Sequence, residues 1–417
     1  MTHQADDYKI ILEKRLIRAC DAMQKSNIDV WISTGRETHL LGEPSLIFLT
    51  PCLVFTRTAL VLTAGGKRII LCAPVEAEEL EAAGVYTEVA VYRGRTEFER
   101  KLQDILAGCT PANGTIALNT SPLDATSDGL SHSDYLLLSD IMKRIGFTGS
   151  IVSSYDIMRE VRAHKCAEEV AAIEHAVNCA MDIYDRARPQ LKTGMSGKEV
   201  QLLFQRLALE AGLGFSWDSR YNPYVSVGPR SSYNCKMPPS DVYIQPGDVV
   251  NVDFGVRTRG FASDNQRTFY AAGGESGVPE EVQHAFETLK LINTRVAEAM
   301  KVGADSNALG QIGIDTMAEC GYSEQIRSYG HEIGIFAHNG GIGAGMHSAN
   351  DGQNTTLLEN MTFTLEPAIL TSRGRVCRED VVCVGPQRGR ILGRPQEEIW
   401  IIGEYPQCTR GNTPGGV

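Results

Sequence analysis

The sequence predicts two domains: an α/β N-terminal domain over residues 1–155 and an α+β C-terminal domain over 156–405, followed by a disordered tail over 406–417. Three observations lead there. The chain has 417 residues, too many for one average domain and suited to two. Its first third alternates short apolar runs with amphipathic ones, the pattern of a mixed or parallel sheet covered by helices. Its second half is strand-rich and places acidic residues inside the strand-like runs.

Taken in order, "YKIILEKRLIRACDAMQKSN" spaces Ile10, Leu12, Leu16, Ile17, Cys20 and Met23 as one helical face. "IDVWIST" follows as a buried strand, and "TPCLVFTRTALVLTAGGKRIILCAP" reads as two strands around a turn at Gly65 and Gly66. "GTIALN" is another strand and "HSDYLLLSDIMKRI" another helix. "SSYDIMREVRAHKCAEEVAAIEHAVNCAMDIYDRARPQL" reads as one long amphipathic helix, with Val170, Ile173, Val177, Met181 and Tyr184 three and four apart. "SGKEVQLLFQRLALEAGL" is a helix with Ser196 as N-cap and Glu199 three residues on. Strands are then expected in "YNPYVSVG", "DVVNVDFGVRTRGFASDNQRTFYAAG", "MTFTLEPAIL" and "REDVVCVG", separated by helices over 279–301 and 304–321.

Hydrophobic residues make up 42% and charged residues 22%, as in ordinary soluble globular chains. The net charge of −11 argues against a nucleic-acid or anionic-membrane partner. No apolar run approaches the roughly 18 residues of a membrane span. The polar start "MTHQADDYKIILEKRL" lacks the basic-then-apolar order of a signal peptide. Eleven cysteines without a CxxC pair read as reduced thiols, which points to a cytoplasmic protein.

The segment "SYGHEIGIFAHNGG" contains a His-Glu pair. A helical zinc-protease site needs a second His four residues on, where this chain has Ile335; the next is His338. Glycines and alternating apolar residues make the segment a strand or turn. Any metal held by His331 needs ligands from elsewhere in the chain.

Those ligands are at hand. Asp253 in "VVNVDFG", Asp264 in "GFASDNQRTF", Glu366 in "TFTLEPAIL" and Glu379 in "RVCREDVVCV" all lie in β-rich apolar runs. Burying a carboxylate there is costly, and bound cations offset the cost. Four carboxylates and one imidazole favour Mn²⁺, Fe²⁺, Co²⁺ or Zn²⁺ over a thiolate-type site. Two ions about 3.5–4 Å apart are the common arrangement for such a set.

The order Asp, eleven residues to Asp, then His with a second His seven on, Glu-Pro and Glu-Asp resembles the M24 metallopeptidase family, which includes prolidase, Xaa-Pro aminopeptidase and methionine aminopeptidase. The motifs are "PGDVVNVDFGVRTRGFASDNQRTFY", "GHEIGIFAH", "MTFTLEPAI" and "GRVCREDVVCVG". The resemblance implies a pita-bread catalytic domain following a creatinase/prolidase-like N-terminal domain, and a homodimer. It implies Asp253, Asp264, His331, Glu366 and Glu379 as metal ligands, with Asp264 and Glu379 bridging two ions. It implies a metal-bound hydroxide as nucleophile, Glu366 as proton shuttle and His338 as a substrate contact that stabilises developing negative charge.

The chain departs from that pattern near the substrate. Cys235 in "GPRSSYNCKMPPSD" stands where the peptidases carry a His. Arg327 stands where prolidases carry another His four residues before the ligand His. A thiol is a poor donor, whereas a guanidinium fork suits a carboxylate. Arg327 is therefore a candidate substrate and catalytic residue, or else a salt-bridged surface Arg. Tyr224 and the rest of "WDSRYNPY" line the substrate pocket or belong to the core or a dimer surface. Arg267 is expected to support the carboxylates from behind.

The reading that follows is a metal-dependent hydrolase cleaving a C–N bond in a small molecule or short Xaa-Pro-like peptide. Two alternatives stay open: an iron- or manganese-dependent lyase or oxidative enzyme on the same ligands, and a binding or scaffold protein derived from the fold.

Overall fold

A computed structural model of the chain describes residues 2–38, 42–122, 124–231, 241–272, 277–322, 330–338 and 356–403. It divides into two compact units, residues 1–170 with 359–361, and most of the remainder from 171. Cys235, Arg327 and the segment 406–417 lie outside the described residues.

The first unit is built on helix α1 (Thr2–Lys25), strand β1 (Val30–Gly35), α2 (Pro44–Leu49), β2 (Thr58–Thr63), β3 (Arg68–Cys72), α3 (Pro74–Ala83), β4 (Glu88–Val91), α4 (Arg95–Cys109), β5 (Thr115–Leu118), α5 (His132–Arg144), β6 (Ser150–Ser153) and α6 (Tyr155–Arg162). The strands form one six-stranded sheet in the order β4-β3-β2-β1-β5-β6. β1, β2 and β3 pair antiparallel, while β3–β4, β1–β5 and β5–β6 are parallel, so the sheet is mixed. Apolar side chains such as Val30, Ile32, Val61 and Leu71 cluster with Phe98, Leu102 and Leu106 of α4 and with Leu138 and Ile141 of α5.

The long helix expected from residue 153 is broken. α6 ends at Arg162 and α7 (Ala167–Ala187) starts after a short gap. Glu169 explains the break. Its buried carboxylate accepts the Cys166 N–H at 2.8 Å, capping the new helix. It also pairs with Arg15 at 2.6 Å and Arg18 at 2.9 Å, both on α1. The two guanidiniums hold its carboxyl down at about 2 against the pull of burial. A tertiary pairing thus overrides a continuous amphipathic pattern.

The second unit continues with α8 (Gly197–Glu210), β7 (Gly214–Phe215), β8 (Tyr224–Val227), β9 (Val249–Phe254), β10 (Val256–Thr258), β11 (Phe261–Ala262), β12 (Asn265–Ala271), α9 (Glu280–Ala299), α10 (Ser306–Glu319), β13 (Thr362–Leu365), β14 (Ala368–Thr371), β15 (Gly374–Cys377), β16 (Asp380–Cys383), β17 (Arg390–Ile391) and β18 (Trp400–Ile402). Ser196 and Glu199 form the expected capping box on α8. The principal sheet runs β18-β12-β9-β8, and a second runs β13-β16-β17.

Tyr184 of α7 holds this unit together. Its ring packs at 5.1 Å from Phe204, 6.0 Å from Phe254 and 5.8 Å from Trp400. Its hydroxyl lies 2.8 Å from the carbonyls of both Val252 and Asn265. These residues stand beside Asp253 and Asp264. A single helical side chain therefore ties β9, which carries Asp253, to the start of β12, which Asp264 immediately precedes.

Candidate metal centre

β-Sheet register assembles the centre. Asp253 on β9 pairs with Gln266 on β12 and with Tyr224 on β8, which puts these side chains on one face. Asp264 lies two residues before Gln266 and shares that face. The eleven-residue spacing of the aspartates is the length of this hairpin. On the other sheet, Leu365 pairs with Asp380, so the next positions out, Glu366 and Glu379, fall opposite each other. The Glu379 N–H donates to Gln266 O at 3.2 Å, and Gln266 Nε2 donates to Glu366 Oε2 at 3.1 Å.

His331 enters from a segment that runs beside β13. Its N–H donates to Thr364 Oγ1 at 3.0 Å, and Thr364 N–H donates to His331 O at 2.9 Å. Gly330 makes this approach possible: its φ is +150°, and a Cβ there would stand 1.8 Å from Thr364 O. Gly330→Ala is expected to displace His331 and to weaken divalent-metal affinity about tenfold or more, read by calorimetric titration.

The five side chains meet. His331 Nε2 lies 3.6 Å from Asp264 Oδ2 and 3.6 Å from Glu366 Oε1. Three overlapping sets have ligand atoms within 4.8 Å of one another: Asp253, Asp264 and Glu379; His331, Glu366 and Glu379; and Asp264, His331 and His338. Tyr224 is half-buried at the edge of this face, beside Asp253.

The electrostatics fit cations. Burial pushes Asp253 up to about 7, and the charge of Glu366 adds to it. Burial pushes Glu366 up to about 7 as well. Asp264 and Glu379 rise well above the carboxylate range, first from burial and then from the neighbouring carboxylates. Among the described residues, Asp253 Oδ1 and both carboxylate oxygens of Glu379 are buried without a hydrogen-bond partner. Orphaned acceptors of this kind are expensive; divalent ions satisfy them and hold the carboxylates ionised.

A second layer of charge lies behind the ligands. Arg267, 1% exposed, pairs with Asp380 at 3.1 Å and donates to the Glu379 carbonyl at 2.5 Å. Asp380 also pairs with Arg378 at 3.0 Å. Arg267 thus supports Glu379 through its backbone and its neighbour's carboxylate, not through a ligand oxygen. Arg267→Ala leaves Asp380 partly uncompensated in the core and is expected to cost about 3–5 kcal/mol, measured by denaturant unfolding. Gln266 and Tyr184 carry no chemical signature in the sequence, whereas Asp380 is the second residue of the Glu-Asp pair. Only the hairpin register of the two aspartates points to Gln266.

A buried set of four carboxylates with imidazole, presented by paired strands, could hold divalent metal ions. The chain belongs to metallopeptidase family M24, whose model matches residues 171–386. Among relatives, it is 27% identical over 247 residues to the Xaa-Pro dipeptidase of Pyrococcus furiosus, covering 58% of this chain and 67% of that one. Among solved structures, it resembles the X-Pro aminopeptidase of Thermotoga maritima with a TM-score of 0.73, at 20% identity, over 92% of this chain and 100% of that one. It resembles the Xaa-Pro dipeptidase of Bacillus anthracis with the same TM-score, at 18% identity, over 94% and 100%. The fold is the pita-bread fold preceded by an N-terminal domain, and the chain is an enzyme of the metallohydrolase class. Among the described residues, no helix is long and apolar enough to cross a membrane.

Proposed function

We propose that this chain hydrolyses a C–N bond in a short Xaa-Pro-like peptide or small amide, using two divalent ions held by Asp253, Asp264, His331, Glu366 and Glu379. The observation that carries the reading is the meeting of these five side chains with unpartnered buried oxygens. The names of the relatives support the substrate class. Asp264 and Glu379 belong to two ligand sets each and would be shared between them. Bound divalent ions supply an activated water and polarise the bond to be cleaved.

The protein's own groups do the rest. Glu366 is oriented by Gln266 and is proposed as the proton shuttle. Tyr224 edges the face beside Asp253 and bounds the space open to substrate. Cys235 and Arg327 are proposed as substrate contacts from their sequence positions alone. A carboxylate on the substrate is the natural partner of Arg327.

The test is a panel of Xaa-Pro dipeptides, other dipeptides and small N-acyl amides, offered to metal-reconstituted protein. Cleavage of an Xaa-Pro bond, lost on chelation and restored by metal, is expected. Metal-loaded protein that cleaves no member of the panel would overturn the substrate assignment.

A further inference from the structure

We propose that Gln266 is a positioning residue that separates the two oxygens of Glu366. Its side-chain amide holds Oε2 apart as the proton-accepting oxygen and leaves Oε1 to face the metal site. The proposal rests on the hydrolase reading above for what Oε2 does, but not for how the carboxylate is held.

Three observations support it. The first is reach. Gln266 lies opposite Asp253 in the β9–β12 pairing, and its carbonyl accepts the Glu379 N–H at 3.2 Å. The backbone of Glu379 therefore lies between Gln266 and Glu366, and only a long side chain passes it. The Gln266 amide does so: Nε2 donates to Glu366 Oε2 at 3.1 Å. The second is the unlikeness of the two Glu366 oxygens. Oε1 lies 3.6 Å from His331 Nε2. Donor atoms about 2.1 Å from a shared ion stand roughly 3–4.2 Å apart, so Oε1 is placed as a ligand atom. Oε2 instead accepts from Gln266, the one hydrogen bond to this carboxylate among the described residues. The third is the state of the amide itself. Gln266 is 2% exposed, and among the described residues its Oε1 is buried without a hydrogen-bond partner. An orphaned buried carbonyl is costly, and an apolar side chain of the same length avoids that cost. A polar group kept against its own burial cost is the mark of a working position.

The consequence is a division of roles within one carboxylate. An N–H aimed at Oε2 takes up a lone pair that a second metal bond would use. It also fixes the direction of the remaining lone pair, as proton transfer requires. Without the amide, Glu366 is free to turn both oxygens to the metal site. The ions then stay bound and the oriented proton acceptor is lost.

The experiment loads Co²⁺ into metal-free full-length wild type, Gln266→Met and Gln266→Leu, and records visible absorption per bound ion. Co²⁺ absorption reports coordination number, and a higher number weakens it. Both variants are expected to bind as much Co²⁺ as wild type, with weakened and shifted bands. On the cleaved substrate, kcat should fall about 10²-fold while KM stays within about twofold. Unchanged bands in a folded variant overturn the proposal. So does a raised KM with normal kcat, which would make Gln266 a substrate contact. Loss of an ion from both variants, or failure of both to fold, overturns it as well, because the amide would then serve the metal site or the core as a whole. The outcome separates from the hydrolase reading. Weakened bands in variants of a protein that cleaves no amide support the positioning role against that reading, and unchanged bands in an active amidase do the reverse.

Discussion

Glu379→Gln is expected to lower kcat/KM by about 10³-fold or more while the chain stays folded. Among the described residues, Glu379 is 1% exposed, has no hydrogen-bond partner on either carboxylate oxygen and belongs to two of the three ligand sets. The amide is nearly isosteric, so the core around it is undisturbed. It removes one negative charge and turns an N–H donor toward the place of a cation. Losing several kcal/mol of transition-state stabilisation from a displaced ion corresponds to this loss of rate. A second, opposite effect marks the mechanism. Without metal, burial and then the neighbouring Asp264, Glu366 and Asp253 carboxylates disfavour an ionised Glu379, a cost the amide does not carry, so the metal-free variant should melt at a higher temperature than metal-free wild type. Added metal should then stabilise wild type and not the variant. A variant with normal kcat/KM would remove Glu379 from the centre.

The second large effect is the pH dependence of the metal-free protein. Asp253 and Glu366 both titrate near 7 in the folded chain, against about 4 in an unfolded one. In that window the folded state binds more protons than the unfolded state, so stability falls as pH rises from about 4 through about 7. Each such group is worth a few kcal/mol at most, and the metal-free protein is expected to melt about 10 °C lower at pH 8 than at pH 5. With metal in place the carboxylates stay ionised throughout, and the dependence flattens. The stabilisation by metal should therefore be larger at pH 8 than at pH 5. Melting curves of chelated and reconstituted protein at the two values measure it. A metal-free protein that gains stability across this range contradicts the buried cluster.

What could be read from the sequence follows a physical division. Asp253, Asp264, Glu366 and Glu379 were legible because a carboxylate inside an apolar strand run violates local rules and demands a partner. The eleven-residue interval was legible only through the family resemblance, and the structure explains it as the span of the β9–β12 hairpin; Ser196 with Glu199 was legible because capping is local. The break before α7 was not legible. It is made by Arg15 and Arg18, some 150 positions away, acting on a helix whose own pattern is continuous. The short helices α2 and α3 escaped the periodicity reading, although Pro44 and Pro74 sit at their first positions in the way helix starts favour. Tyr184 reads in sequence as one more apolar position of α7. Its hydroxyl bridge to the two aspartate strands exists only once the sheet is formed. Arg267 reads in sequence as support for the carboxylates from behind, and the structure gives the route: it pairs with Asp380 and donates to the Glu379 carbonyl.

The most direct test of the two-ion centre is a calorimetric titration of metal-free wild-type protein with Mn²⁺ and with Co²⁺ at neutral pH, checked by elemental analysis. Two ions per chain, both lost in Asp264→Ala, are predicted. A folded wild-type chain that binds no ion, or binds two that Asp264→Ala retains, would contradict it.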